Sequence, residues 1–237
     1  MLQNKTVLIT GASKGIGSVT AVKFATAKAR VVLMARSKES LLKVQEEIIN
    51  AGGVCDIFCG DVSDEQYVST TVESVIKKWG RLDVVINNAG LGIFKPAEEI
   101  SSQEWDTVFA TNMKGTFLVS KAVIPLMKKQ GFGHIINIAS DVAKRTFANG
   151  SLYCASKYAQ DAFSMSLRKE LLPFGIKVSV VYSGLVDTHF HSTEQGDPEH
   201  KNWLKAEDMA NALTFIAAQP AHVVIDELMI HPLSQIY

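Results

Sequence analysis

A short apolar run, Val7-Leu8-Ile9 between Thr6 and Thr10, enters Gly11-Ala12-Ser13-Lys14-Gly15-Ile16-Gly17 and emerges in the helical pattern of Val19, Val22 and Phe24. Strand, glycine turn and helix in immediate succession constrain the fold more than any other feature of the chain. Each glycine has its own job in such a unit: one permits the tight turn, one lets backbone approach a phosphate, and one lets the helix pack close to the strand. The spacing is G-x-x-x-G-x-G rather than G-x-G-x-x-G. Helix N-terminal amides and the helix dipole favour an anion, so Gly11, Ser13, Lys14, Gly15, Ile16 and Gly17 form a candidate cradle for a dinucleotide pyrophosphate.

The alternation continues along the chain. Apolar runs at residues 31–35, 54–59, 82–86, 134–139, 177–182 and 223–230 read as strands. Between them lie helical stretches: residues 41–50, stopped by Ala51-Gly52-Gly53; a segment opened by Ser63-Asp64-Glu65-Gln66; residues 207–218; and a long stretch opened by Ser101-Ser102-Gln103-Glu104 and carrying Trp105, Val108, Phe109, Met113, Phe117 and Val119. Both Ser-led openings match the capping-box pattern. Asn112 and Gly115 are poor helix formers inside the long stretch, a cost that implies a packing or polar reason, a backbone opening that holds a water being one candidate. Parallel neighbours need crossover helices, so the alternation predicts an α/β chain with a doubly wound parallel sheet of about seven strands and helices on both faces. With 47% hydrophobic residues, the 237-residue chain can furnish one large core, and a single domain over 1–237 is expected. Its dinucleotide-binding half should extend to about residue 90, with catalytic and substrate-binding elements over about 91–237. The polar segment at about 188–204, with Gly196 and Pro198, reads as a mobile loop able to close over the site.

Ligands of open α/β sheets bind outside the carboxyl ends of the strands, so the strand ends carry the next candidates. The second strand ends at Arg36-Ser37, where an acid would bind a ribose 2′-hydroxyl and an arginine accommodates a 2′-phosphate. No acid stands there, and Lys14 can join Arg36; two cations around one phosphate predict NADP(H). Asp61-Val62 follows the third strand and is placed for an adenine contact, although Asp61 could equally cap the next turn. Asn87-Asn88-Ala89-Gly90 ends the fourth strand, where small residues let backbone approach the cofactor and Asn side chains can tie neighbouring loops. The fifth strand delivers Ser140, and the sixth leads into Ser183-Gly184-Leu185-Val186-Asp187-Thr188.

Ser151-Leu152-Tyr153-Cys154-Ala155-Ser156-Lys157 places a phenol and an ammonium four residues apart. On a helix the two share a face. A cation about 4 Å away, at an effective dielectric of about 20, stabilises a phenolate by roughly 4 kcal/mol, or about 3 pKa units. That is enough to bring a tyrosine of ordinary pKa about 10 toward neutrality, where general acid–base catalysis is efficient. Burial works against this by penalising the phenolate, so a second positive charge, such as an oxidised nicotinamide, would help.

The 24 basic and 24 acidic residues balance without a long single-sign run, so neither a nucleic-acid nor a membrane partner is expected. Cys55, Cys59 and Cys154 form no even disulfide framework, which points to a reducing compartment. Cys55 and Cys59 lack a further Cys/His pair and read as buried small hydrophobes, while His189, His191 and His200 lack an accompanying carboxylate pattern; no metal site is expected. The stretch before Val7 is too short for the apolar core of a signal sequence, and no run of about 18 apolar residues occurs, so a cytoplasmic location is expected.

Taken in order, Thr10-Gly11-x-x-x-Gly15-x-Gly17, Asn87-Asn88-Ala89-Gly90, Asn112, Ser140 and Tyr153-x-x-x-Lys157 resemble the short-chain dehydrogenase/reductase family over nearly the whole chain. The resemblance implies a Rossmann-type domain and a catalytic tetrad of Asn112, Ser140, Tyr153 and Lys157. Tyr153 would be the general acid/base, Lys157 would also bind the nicotinamide ribose, and Asn112 would hold a water that relays protons. The implied reaction is reversible, NADPH-dependent reduction of a ketone or aldehyde to an alcohol. Lys14 and Arg36 resemble the NADP-preferring branch, and Thr188 matches a hydroxyl used on the carboxamide, with Gly184 and Val186 beside it. Relatives commonly form homodimers or homotetramers through the helices that carry Asn112 and Tyr153.

Two departures from the family stand out. Ser183-Gly184 replaces a frequent Pro-Gly, and Asp141-Val142-Ala143-Lys144-Arg145 follows Ser140 where small residues are common. Val142, Phe147, Leu185 and Phe190 are the candidate substrate-lining residues. Two other readings stay open. One is a 3-oxoacyl-[acyl-carrier-protein] reductase, although residues 224–232 lack the Gly-Gly turn common near the end of those enzymes. The other is a non-catalytic NADP-binding regulatory protein, which the presence of both Tyr153 and Lys157 disfavours.

Overall fold

The computed structural model describes residues 2–191 and 195–235, with the side chain of His191 outside the description. From the N-terminus, β1 (Thr6–Thr10) is followed by α1 (Gly15–Thr26), β2 (Arg30–Ala35), α2 (Lys38–Asn50), β3 (Val54–Cys59), α3 (Glu65–Trp79) and β4 (Val84–Asn87). Next come α4 (Ser102–Phe109), α5 (Gly115–Gln130), β5 (Gly133–Ile138), α6 (Ser151–Leu171) and β6 (Ile176–Ser183). A two-strand ribbon of β7 (Val186–Asp187) and β8 (Leu204–Lys205) precedes α7 (Ala206–Ala217) and β9 (Glu227–Ile230).

Seven strands form one parallel sheet in the order β3-β2-β1-β4-β5-β6-β9, the expected doubly wound arrangement. The order of strand addition reverses at β1, which pairs with β2 on one side and β4 on the other. Such a switch point opens a crevice at the carboxyl ends of the two strands. Successive strand residues feed opposite layers. Val7, Ile9, Val31 and Leu33 join Phe24 of α1, Leu41 and Ile48 of α2, and Met209 and Leu213 of α7. Leu8, Val32 and Met34 join Val72 of α3, Val123 and Met127 of α5, and Leu167 of α6.

The structure redraws several details. The last strand begins at Glu227 rather than residue 223, because the Val223 amide donates to Pro220 O in a turn. Asp64, not Ser63, caps α3, accepting from the amides of Gln66 and Tyr67. Cys59 is exposed, with Sγ 3.1 Å from Arg36 O, since β3 is an edge strand; Cys55 is buried as expected. The Ser101–Glu104 capping box is present with both arms. The long helix it opens is broken by a π-helical turn at Ala110–Lys114, so α4 and α5 are separate segments around Asn112. Gly115 serves a close approach, because a Cβ there would stand 2.7 Å from Val62 Cγ2.

The polar segment expected to be mobile is tied to β7 over its described residues. The Asp187 carboxylate accepts from the Gly196 amide at 3.0 Å and Lys205 Nζ at 2.8 Å, with His200 Nδ1 at 3.3 Å. The His200 ring stacks on Trp203 at 3.7 Å.

Helix α1 meets the turn before it backbone to backbone. A Cβ on Gly17 would stand 2.3 Å from Gly11 O and 2.7 Å from Asn88 Nδ2. Gly17→Ala should therefore force the helix off the turn and destabilise the protein by about 2–3 kcal/mol, the scale of an overpacked core. Urea denaturation would show the loss as a lowered midpoint, and an unchanged midpoint would contradict the packing role.

Candidate active site

The carboxyl ends of β1 and β4 are stitched together before any ligand arrives. Thr10 Oγ1 accepts from the amides of Asn88 and Ala89, both at 3.0 Å, and Asn88 Nδ2 donates to Thr10 O at 3.0 Å and Gly11 O at 3.2 Å. Gly11 and Gly15 adopt φ of +64° and +58°, a left-handed backbone that side chains disfavour. A Cβ on Gly11 would also lie 2.9 Å from Ala89 Cα. Lys14 is the N-cap of α1 and no side chain caps that helix, which leaves its first amides available to an anion.

A cavity of about 1010 Å³ runs from Arg36 and Ser37 past this turn to Tyr153 and Phe147. Its walls include Gly11, Ser13, Lys14, Gly15, Ile16, Asp61, Val62, Asn88, Ala89 and Gly90 from the dinucleotide half. Ser140, Tyr153, Lys157, Gly184, Val186 and Thr188 line the other half, with Val142, Leu185 and Phe190. Two candidates stand behind the wall: Gly17, whose part is the helix packing above, and Asn112, which is fully buried. Asp61 lines the cavity and also takes its alternative role, with Oδ1 accepting from the amide and hydroxyl of Ser63, both at 2.8 Å. The cleft thus offers a glycine cradle, open helix amides and two cations at its far end, a donor set that fits a dinucleotide bearing a 2′-phosphate.

Tyr153 and Lys157 share the buried face of α6, as their spacing predicts, yet they do not bond to each other. Lys157 Nζ donates to Ile138 O at 2.9 Å and Gln160 Oε1 at 3.0 Å, and lies 5.8 Å from the Tyr153 ring centroid. Burial pushes the ammonium down to about 7. Burial also pushes the Tyr153 phenol above its ordinary value, with a hydrogen bond from Ser140 opposing and the Asp141 charge reinforcing. In the free protein, desolvation therefore outweighs the lowering expected from Lys157. Asn112 is spent on structure: Oδ1 accepts from the Leu91 amide, and Nδ2 donates to Leu91 O and Ser156 Oγ, each at 2.9 Å. Asn112 Oδ1 and Lys157 Nζ nevertheless flank Gly90, where a Cβ would stand 3.4 and 3.8 Å from them.

The structure adds residues that the sequence did not suggest. Asp141, buried beside Ser140, accepts from Ser140 Oγ at 3.0 Å and from Gln235 Nε2 at 2.6 Å. Gln235 Oε1 in turn accepts from the Leu185 amide at 3.0 Å. Glycine is required at position 184 by this contact: a Cβ there would stand 2.2 Å from Gln235 Oε1 and 2.6 Å from His231 Cβ. Phe94 also lines the cavity and packs edge to face on Tyr153 at 5.3 Å. Gln235 carried no signal in the sequence, and Phe94 none beyond its place after Gly90.

Among the described residues no helix is long and apolar enough to cross a membrane, and no group of three or more His, Cys, Asp or Glu could hold a metal. Fold and site together define an oxidoreductase of the dinucleotide-binding α/β class. The family model for short chain dehydrogenase matches residues 5–199, and the chain belongs to that family. An uncharacterized oxidoreductase of Staphylococcus epidermidis is 33% identical over 231 residues, covering 98% of each chain. An alcohol dehydrogenase from the archaeon Thermococcus sibiricus, complexed with 5-hydroxy-NADP, is 32% identical with a TM-score of 0.93 over 99% of each chain. A 3-ketoacyl-(acyl-carrier-protein) reductase from Brucella melitensis, complexed with NADH, is 30% identical with a TM-score of 0.89 over 98% of each chain.

The depressed Lys157 pKa carries a stability signature. Between pH of about 7 and 10.5 the unfolded chain holds this proton and the folded chain does not, so the penalty for burying the amine is full below about 7 and fades as pH rises. The stability of wild type relative to Lys157→Met should therefore improve steadily from pH 6 to 9 in urea denaturation of the free protein. A pH-independent difference would mean that the amine keeps its charge in the fold.

Proposed function

We propose that this protein is an NADPH-dependent carbonyl reductase that converts a ketone or aldehyde to an alcohol, reversibly, with Tyr153 as general acid. The observation that carries the reading is the convergence of Ser140, Tyr153 and Lys157 on one end of a cavity whose other end is lined by Lys14 and Arg36. When bound, the dinucleotide supplies the hydride. Lys14 and Arg36 would hold the 2′-phosphate, the first amides of α1 would hold the pyrophosphate, and Thr188 and the backbone at Val186 would hold the carboxamide. Tyr153 donates a hydrogen bond to the carbonyl oxygen, and the Ser140 hydroxyl, turning its one proton away from Asp141, donates a second; together they stabilise its developing negative charge. Tyr153 then transfers its proton to that oxygen, leaving a phenolate that Lys157 and the oxidised cofactor favour over the state in the free protein. Lys157 also binds the nicotinamide ribose. Asn112, through its bonds to Leu91 and Ser156, holds the loop after β4 against α6 and keeps the Lys157 side of the site in register; a water beside Gly90 completes the proton path.

Exposed Trp105, Phe117, Tyr158 and Met165 on α4, α5 and α6 support a homodimer or homotetramer through these helices. Three unpaired cysteines support a reducing, cytoplasmic setting. The likeness to the Brucella enzyme favours a second reading, a 3-oxoacyl thioester substrate, which the substrate series below separates from a free ketone.

Tyr153→Phe should lower kcat by about 10²–10⁴-fold, the usual contribution of a general acid, while NADPH affinity measured by fluorescence stays nearly constant. Activity within a few-fold of wild type would remove Tyr153 from the role. Arg36→Asp should weaken NADPH by about 10- to 100-fold, as expected for loss of a charge-assisted bond, and narrow or reverse the preference over NADH in parallel titrations. Equal loss for both cofactors would argue against a 2′-phosphate contact.

A further inference from the structure

Three phenylalanine rings from three separate loops form a cluster, two of them on Tyr153 and the third on the first. Phe94, after β4, meets the phenol ring edge to face at 5.3 Å; Phe190, after β7, is tilted against it at 5.6 Å; and Phe147, before α6, lies 5.8 Å from Phe94. All three line the cavity, and Phe94 and Phe147 remain 37% and 47% exposed. The backbone is recessed to receive them. A Cβ on Gly92 would stand 2.5 Å from Phe94 Cζ and 3.1 Å from Phe190 Cε1, and one on Gly150 would stand 2.6 Å from both Cε1 and Cζ of Phe147. Loops that set rings over glycines and leave their faces toward a cavity form a built apolar wall, and clustered exposed aromatic surface of this kind marks a binding site.

The chemistry around Ser140 sharpens the choice of ligand. Asp141 places a buried carboxylate against the Ser140 hydroxyl, fixed on its other oxygen by Gln235. A substrate carboxylate close to its carbonyl would be driven toward that like charge. Arg145, which also lines the cavity, directs one guanidinium nitrogen to Met229 Sδ at 3.7 Å.

We infer that Phe94, Phe147 and Phe190 form a subsite for a flat apolar ring, so that the substrates are uncharged aryl or cyclic ketones rather than oxo acids or acyl thioesters. The inference rests on the carbonyl-reductase reading and deepens it. Because Phe94 and Phe190 pack on Tyr153 itself and Phe147 extends the wall from Phe94, a carbonyl engaged by the phenol hydroxyl brings the attached group against them. Offset and edge-to-face contacts with three rings then select planar substituents.

The test compares acetophenone, acetaldehyde, 3-oxobutanoate and a 3-oxoacyl thioester as substrates with NADPH, and titrates 1-phenylethanol calorimetrically into the NADP⁺-saturated protein. Acetophenone should exceed 3-oxobutanoate and the thioester in kcat/KM by about tenfold or more. Phe147→Ala should cut the acetophenone-to-acetaldehyde ratio about tenfold, mainly through KM, equivalent to about 1.4 kcal/mol. Phe94→Ala should act in the same direction, and Phe147→Tyr should retain the preference. A wild-type preference for the anion or the thioester, or an unchanged ratio in both alanine variants, would overturn the inference. If no carbonyl is reduced, the titration separates the two ideas. Binding of 1-phenylethanol that Phe147→Ala weakens about tenfold upholds the subsite and dismisses the carbonyl-reducing reading; no binding to wild type dismisses the subsite. Circular dichroism of each variant verifies folding, which a side chain as open as Phe147 should not compromise.

Discussion

The site depends on keeping one ammonium out of water. Lys157 is 4% exposed, and a buried amine persists only where hydrogen-bond acceptors replace its hydration. Ile138 O and Gln160 Oε1 do so, and Gln160 is held in turn because its Nε2 donates to Thr116 Oγ1, which donates to Asn112 O. Asn112 then grips Leu91 and Ser156. A single run of bonds therefore joins the end of β5, the π-turn, α6 and the loop after β4. Polar networks in a dry interior are costly when incomplete, so each member constrains the next. The break between α4 and α5 belongs to this network: it is where the helix gives up regular bonding and carries the Asn112 side chain to the loop and to α6.

A second buried ladder supports the same elements from below. Asn87 Nδ2 donates to Ser120 Oγ and Asn137 Oδ1, and Asn137 Nδ2 donates to Ser164 Oγ, which joins β4, β5, α5 and α6. Apolar layers fill the space between sheet and helices, but they are tolerant of small shifts. Directional bonds at Asn87, Asn88 and Asn112 supply the registration that a reaction centre demands.

The sheet was legible because each element carries a local signal. Apolar runs alternate with capped helices, and the glycine turn names the crossing point of the sheet. Spacing also put Tyr153 and Lys157 on one helix face. It did not say where the ammonium would end, because that depends on a carbonyl 19 residues earlier, at the end of β5. The same reason hid Gln235, which meets Asp141 across 94 residues. Composition read locally also gave no sign that Asp187 on β7 gathers Gly196, His200 and Lys205. Cys59 was misplaced because an apolar run does not reveal which strand lies at the sheet's edge. Local periodicity reports elements; long-range polar pairing, which completes the site, leaves almost no trace in spacing.

Gln235 has a wider consequence. It contributes to the wall of the cleft from a segment beyond β9 that is not constrained by strand pairing or by a helix seam. Glycine at position 184 is the accommodation that lets this segment cross. Substitutions or length changes there alter the surroundings of Ser140 and Asp141 while the sheet, the glycine turn and α6 remain as they are. The fold thereby separates a reaction centre set on the sheet from an adjustable panel beside it, which gives such a chain a route to altered specificity.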